Sequence, residues 1–328
     1  MLEVLRVNML SPLSLAFALG VFARVIRSEL TLPRDLYGSL SIYLLLAIGL
    51  KGGVELSQTT LATILLPALA TLALGCITPV SSYLTLRKLG GFGVADAAGI
   101  AAHYGSVSAV TFIAAQQFVA SMGAPAEGYM PTLLTLLESP GIHIALAIGA
   151  IQTARSATLA DGVSRRPLKE VLHEVLTARS MVLLVGGLLL GFLIGEQGYK
   201  SVQPFFEGMF KGALCLFLLE MGLTAGARLG DLKKAGLFLL AFGIVMPILH
   251  GMLAVLLGHW AGLSVGGCAV LATMAASASY IAAPPAVRMT LPEANPTLYL
   301  TASLAITFPF NLLAGIPIYY ELSRWIAG

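Results

Sequence analysis

Two short segments combine residue types that could hold a small ion. His103-Tyr104-Gly105-Ser106-Val107-Ser108 sets two hydroxyls beside a glycine. Ala275-Ala276-Ser277-Ala278-Ser279-Tyr280-Ile281-Ala282-Ala283-Pro284-Pro285 repeats the serine spacing ahead of a Pro-Pro pair. Proline lacks an N–H and disfavours helix in front of it, so the second segment reads as a break within an apolar helix, and the first, at the equivalent place in the other half, as its counterpart. A broken helix turns free N–H groups and a positive dipole end into the gap, which suits a small oxyanion. Carbonyls and serine hydroxyls beside it can serve a cation. Gly105, Ser106, Val107, Ser108, Ala276, Ser277, Ser279 and Tyr280 are therefore the candidate substrate-binding residues. The bland alternative for any one serine is a bond to its own helix.

Few ionisable groups accompany them. Glu138 ends a long apolar stretch before Ser139-Pro140. A carboxylate inside a membrane is costly and usually functional, so Glu138 is the first candidate cation ligand or proton carrier. Glu220 is the second. Thr111, Asn311, Thr301 and Ser303 are candidates to complete a cation-binding or coupling site. His103 is a candidate proton carrier, although a hydrogen-bonded core histidine is the commoner role for such a residue.

These residues need elements that hold them in lipid. Hydrophobic residues make up 57% of the 328-residue chain and charged residues 11%, where a soluble domain has about 25% charged. The mean hydropathy is +0.89. The chain reads as an all-α integral membrane protein with ten transmembrane helices. The expected spans are 10–27, 36–55, 59–86, 94–121, 130–153, 180–197, 206–228, 236–260, 264–288 and 297–325. Of the 19 Lys and Arg, fourteen fall on the side of the 154–179 loop and five on the other. The positive-inside rule puts that loop in the cytoplasm and both termini outside.

The halves look like copies. Tyr43–Leu56, YLLLAIGLKGGVEL, aligns with Leu216–Leu229, LFLLEMGLTAGARL, and pairs Gly49 with Gly222 and Gly53 with Gly226. Ala101–Ser108 aligns with Ala272–Ser279, and Pro131-Thr-Leu with Pro296-Thr-Leu. Five helices per copy invert the second copy, giving a 5+5 inverted repeat with helices four and nine broken. The expected units are residues 1–153, a cytoplasmic linker 154–179 with an amphipathic helix, and 180–328.

Several functions lack their parts. There is no HExxH and no P-loop, so the chain does not read as an enzyme. The charge is only +3, with no basic run interleaved with aromatics, which excludes nucleic-acid binding. Cys76, Cys215 and Cys268 sit singly in apolar runs, and no transition-metal site is expected.

The chain resembles the cyanobacterial sodium-dependent bicarbonate transporters and their bacterial relatives over nearly its full length. The resemblance is carried by SPLSLAFALG (11–20), IGLKGG (48–53), YGSVSAVTF (104–112), AASASYIAAPPAVR (275–288) and ANPTLY (294–299). It implies a homotrimer whose core domain moves against a scaffold, elevator fashion, to take up bicarbonate with sodium. It also implies inhibition from the cytoplasm by a small trimeric protein of the nitrogen-regulatory signalling type. By position it puts Gly105, Ser106, Ser108, Ser277 and Ser279 at the substrate, with Glu138 where those members have an aspartate. Tyr280 departs from the pattern: those members carry an acidic residue there, so a natural sodium ligand is missing. Ala278, Ala282 and Ala283 also replace more polar or flexible residues, and the cytoplasmic loop is short.

The leading reading is a secondary transporter coupling sodium, with no other cofactor, to uptake of bicarbonate or a similar small anion. Two alternatives stay open. One is a proton-coupled transporter of another anion. The other is a non-transporting receptor or regulator-binding protein on the same fold.

Overall fold

The computed structural model describes residues 2–138, 140–157, 177 and 179–328, and every regular element among them is helical. The chain starts with α1 (Leu2–Met9), which lies ahead of the first expected span. A 61° bend joins it to α2 (Pro12–Val25). The start of α2 is fixed locally: the Ser11 hydroxyl accepts the Ser14 N–H at 3.2 Å, and Pro12 takes the first helical position. Then come α3 (Arg34–Ser57), α4 (Leu61–Lys88), α5 (Val94–Tyr104), α6 (Ala109–Ser121), α7 (Met130–Glu138) and α8 (Pro140–Ala157). The expected amphipathic helix of the 154–179 linker lies outside the described residues.

The second half holds α9 (Arg179–Lys200), α10 (Phe210–Arg228), α11 (Leu232–Trp260), α12 (Val265–Ala275) and α13 (Ala283–Thr290). The last span, α14 (Pro296–Ala327), contains two π-helical stretches, Thr301–Thr307 and Asn311–Gly315.

Among the described residues, eight helical spans are long and apolar enough to cross a membrane, or nine if the bent α1–α2 pair counts as one. The sequence reads as ten, and the shortfall has a physical cause. The expected span 264–288 consists of two short helices, α12 and α13, either side of residues 276–282. The eleven residues of α12 rise about 16 Å, half of a hydrocarbon core about 30 Å thick. The expected span 94–121 is interrupted in the same way between α5 and α6. It is also the most enclosed, 94% buried, whereas the span Arg179–Tyr199 is 28% buried and keeps most of its surface for lipid.

Glycines set the closest helix crossings. A Cβ on Gly49 of α3 would lie 2.9 Å from the Gly187 Cα of α9, and one on Gly191 would strike the Leu50 carbonyl. A Cβ on Gly222 of α10 would strike the Phe17 carbonyl of α2, and one on Gly20 the Leu219 carbonyl. Backbones this close exclude any side chain, which is how small residues let helices associate without a hydrophobic drive. Gly49 and Gly222 are the equivalent positions of the two aligned segments, and each meets a helix from the other half of the chain.

Two carboxylates close the ends of the broken helices. Glu127, on the loop before α7, accepts the Ser264 N–H at the start of α12, 2.6 Å. Asp96, in the first turn of α5, accepts the Asn295 N–H on the loop before α14, 2.8 Å. Each bond spans the halves of the chain, and each neutralises donors at a helix start. Burial and the Glu127 carboxylate push the neighbouring Tyr129 phenol up to about 12, so it stays protonated beside the cap.

Candidate functional site

The broken segments meet backbone to backbone. The Ser279 N–H donates to the His103 carbonyl at 2.8 Å and to the Ser106 carbonyl at 3.1 Å. In return, the Ser108 N–H donates to the Ser277 hydroxyl, 2.8 Å. Ser106, Val107, Ser108, Ala276, Ser277 and Ser279 are all buried. Gly105 is needed because a side chain there would run into the Gly141 backbone of α8 at 2.8 Å. The contact brings the end of α5 against the α7–α8 junction, where the Ser106 hydroxyl donates to the Glu138 carbonyl, 3.0 Å.

The four serines divide by what their protons do. Ser106 donates to Glu138, and Ser277 donates to the Met274 carbonyl at 2.8 Å. Ser108 instead accepts, from the Thr111 N–H at 3.3 Å and the Thr111 hydroxyl at 2.9 Å, which caps α6. Ser279 accepts the Ala282 N–H, 3.3 Å. The hydroxyl protons of Ser108 and Ser279 are thus left to point elsewhere. The Tyr280 hydroxyl lies beside Ser108 and is buried without a hydrogen-bond partner. Its ring packs edge-on against Phe308 of α14, centroids 5.4 Å apart.

The helix ends differ in chemistry. The first turn of α6 presents N–H groups that have no intrahelical acceptor. The first turn of α13 contains Pro284 and Pro285, so two of its donors do not exist. The ends of α5 and α12 contribute carbonyls. One of these, Ala276, accepts from the Asn311 amide at 2.8 Å, and Tyr319 steadies that amide with a 2.9 Å bond to its oxygen.

Among the other sequence candidates, Thr111 and Asn311 touch the crossing directly, and Glu138 touches it through its carbonyl. The Glu138 side chain is 3% exposed, and its Oε2 has no hydrogen-bond partner. The His103 carbonyl belongs to the crossing but its ring does not: Nδ1 faces the Gly99 carbonyl at 2.8 Å and the ring stacks on Tyr299, centroids 4.6 Å apart. Nδ1 carries the proton in that bond, which leaves Nε2 a buried acceptor with no partner. Thr301 and Ser303 hydrogen-bond to neither break. The Ser303 hydroxyl turns back to the Tyr299 carbonyl, 2.8 Å, and the Thr301 hydroxyl is buried without a partner.

Some participants carry no local sequence signal. Gly141 is one glycine among 35, and Tyr37, within electrostatic range of Tyr280, stands 243 positions before it. The Tyr104 hydroxyl bonds Thr307 at 2.6 Å, which in turn donates to the Gly243 carbonyl at 2.8 Å. The equivalence of Pro131 and Pro296 is the one signal that marks the paired capping loops.

An all-helical bundle of apolar spans, enclosing two interrupted helices that meet at a polar centre, defines a multi-pass membrane protein. The chain belongs to the Na+-dependent bicarbonate transporter superfamily, whose family model matches residues 12–324. No curated protein matches it. Membership sets the chain among sodium-dependent bicarbonate transporters, and so among transporters rather than enzymes.

Proposed function

We propose that this protein is a secondary transporter that takes up bicarbonate, or a similar small anion, together with sodium by moving a core domain against a scaffold. The observation that carries the reading is the crossing itself. It gathers the N–H groups of the α6 start, the free hydroxyl protons of Ser108, Ser279 and Tyr280, and the carbonyl ends of α5 and α12. Donors suit an oxyanion and carbonyls suit a cation, so each ion improves the site for the other. Gly105, Val107, Ala276 and the hydrogen-bonded Ser106 and Ser277 shape the site. Thr111 and Asn311 hold the break, and Glu138 supplies a carboxylate close by. Tyr280, in place of a carboxylate, shifts the balance from cation ligand towards anion donor.

The paired glycine crossings and capping loops support a 5+5 inverted repeat with units at 1–153 and 180–328. In an elevator the scaffold would be the α2–α10 and α3–α9 pairs, and the moving core the broken helices with α8, α11 and α14. The charge split favours a plasma-membrane orientation with both termini outside. A homotrimer and a cytoplasmic regulator of the nitrogen-regulatory type follow from the family resemblance, with the 154–179 linker as the regulator's landing place. A screen of inorganic and small carboxylate anions against purified protein, with and without sodium, tests the assignment. Bicarbonate binding that strengthens when sodium is added is the expected outcome. Binding of another anion, strengthened by low pH and indifferent to sodium, would instead establish proton coupling.

A further inference from the structure

Two polar cavities occupy equivalent places on the repeated helices. α3 lines one, of about 410 Å³, with Ala47, Lys51 and Glu55. α10 lines the other, of about 500 Å³, with Glu220, Thr224 and Arg228. In the register that pairs Gly49 with Gly222, Ala47 matches Glu220, Lys51 matches Thr224, and Glu55 matches Arg228. The same place in the fold therefore offers a methyl group in one cavity and a carboxylate in the other.

Glu220 is not a spectator on the surface. Its Oε2 is buried and has no hydrogen-bond partner, while the carboxylate takes the Leu32 N–H and the Thr224 hydroxyl. A desolvated carboxylate oxygen without a donor is costly unless a cation or proton serves it. Tyr37 stacks on Phe217, centroids 4.9 Å apart, one helical turn from Glu220 on the same face of α10. Tyr37 lies within electrostatic reach of Glu220 on one side and of Tyr280 on the other. At the rim of the α10 cavity Arg228 faces Asp231 at 4.0 Å, and Arg24 is exposed.

We propose that Glu220 is a cation station serving one face of the transporter. It would hold sodium between its carboxylate and the Thr224 hydroxyl after the ion has left the crossing. Hard cations take oxygen ligands of this kind. The rim guanidiniums suit the departing anion, so the two ions separate within one cavity. The α3 cavity has Ala47 at the matching position and carries its carboxylates elsewhere, at Glu55, Glu127 and Glu207, so the Glu220 station belongs to one face of the carrier. The inference rests on the sodium-coupled reading above.

The test uses the full-length protein in proteoliposomes of uniform orientation, with sodium varied on one face at a time and labelled bicarbonate flux as readout. Glu220→Gln should raise the half-maximal sodium concentration on the Arg228 face at least about tenfold more than on the Lys51 face. Glu220→Asp should restore most of the difference, and Thr224→Val should give a smaller shift on the same face. Equal shifts on both faces, or none, overturn the station while leaving symport intact. Wild-type flux that ignores sodium on both faces overturns the symport reading and the station with it.

Discussion

Ser277 and Tyr280 sit three residues apart and do opposite things. The Ser277 hydroxyl holds the crossing together, accepting from Ser108 and donating to Met274. Ser277→Ala orphans the buried Ser108 N–H and should lower the unfolding free energy by about 1–3 kcal/mol, read by thermal unfolding in detergent. The Tyr280 hydroxyl bonds nothing. Tyr280→Phe removes a buried unpartnered group, so the protein should be as stable or slightly more so. Bicarbonate affinity, measured by calorimetry, should nonetheless fall about tenfold. A loss of stability without loss of affinity would make Tyr280 a packing residue. The sequence made both breaks legible, because glycine, spaced serines and the Pro-Pro pair mark them locally. The division of labour among the serines was not legible. It depends on partners such as Glu138 for Ser106 and Ser277 for Ser108, which only the folded chain brings near.

At the scale of elements, the broken helices work because stiff neighbours hold them. α5 is fixed through Gly105 against Gly141, and α12 through the Glu127 cap at its start. The α2–α10 and α3–α9 pairs depend on bare backbone contact. Gly222→Ala would push a methyl into the Phe17 carbonyl, which cannot yield as a side-chain tip could, and should cost about 1–3 kcal/mol. Gly186→Ala faces open space on the same kind of helix and should gain about 0.5–1 kcal/mol from helix propensity. Comparing the two melting temperatures separates crossing glycines from incidental ones. Most helices could be read from apolar runs and Pro or Gly punctuation. α1 could not, because LEVLRVNM is too short and too amphipathic to register as a span. The half-length of α12 and α13 followed from the break at 276–282, which hydropathy alone smooths over. The π-helical stretches of α14 carry no composition signal, although one of them begins at Asn311, which reaches the Ala276 carbonyl.

For the whole molecule, scarcity of charge made the membrane assignment easy, and the proposed repeat lets the two faces be compared. Once the halves are laid together, the unmatched positions become informative: Tyr280 against its family pattern, and Glu220 against Ala47. Long-range geometry decides what those positions touch, which is why the sequence named Tyr280 and Glu220 but not their neighbours in the fold, such as Phe308 beside Tyr280. The account stands or falls on coupling between two ions at one crossing. The most direct measurement is uptake of labelled bicarbonate into proteoliposomes holding the wild-type protein, with an inward sodium gradient or with potassium replacing sodium. Uptake several-fold faster with sodium, and lost in Ser279→Ala, is the predicted result. Uptake at the same rate without sodium would contradict it.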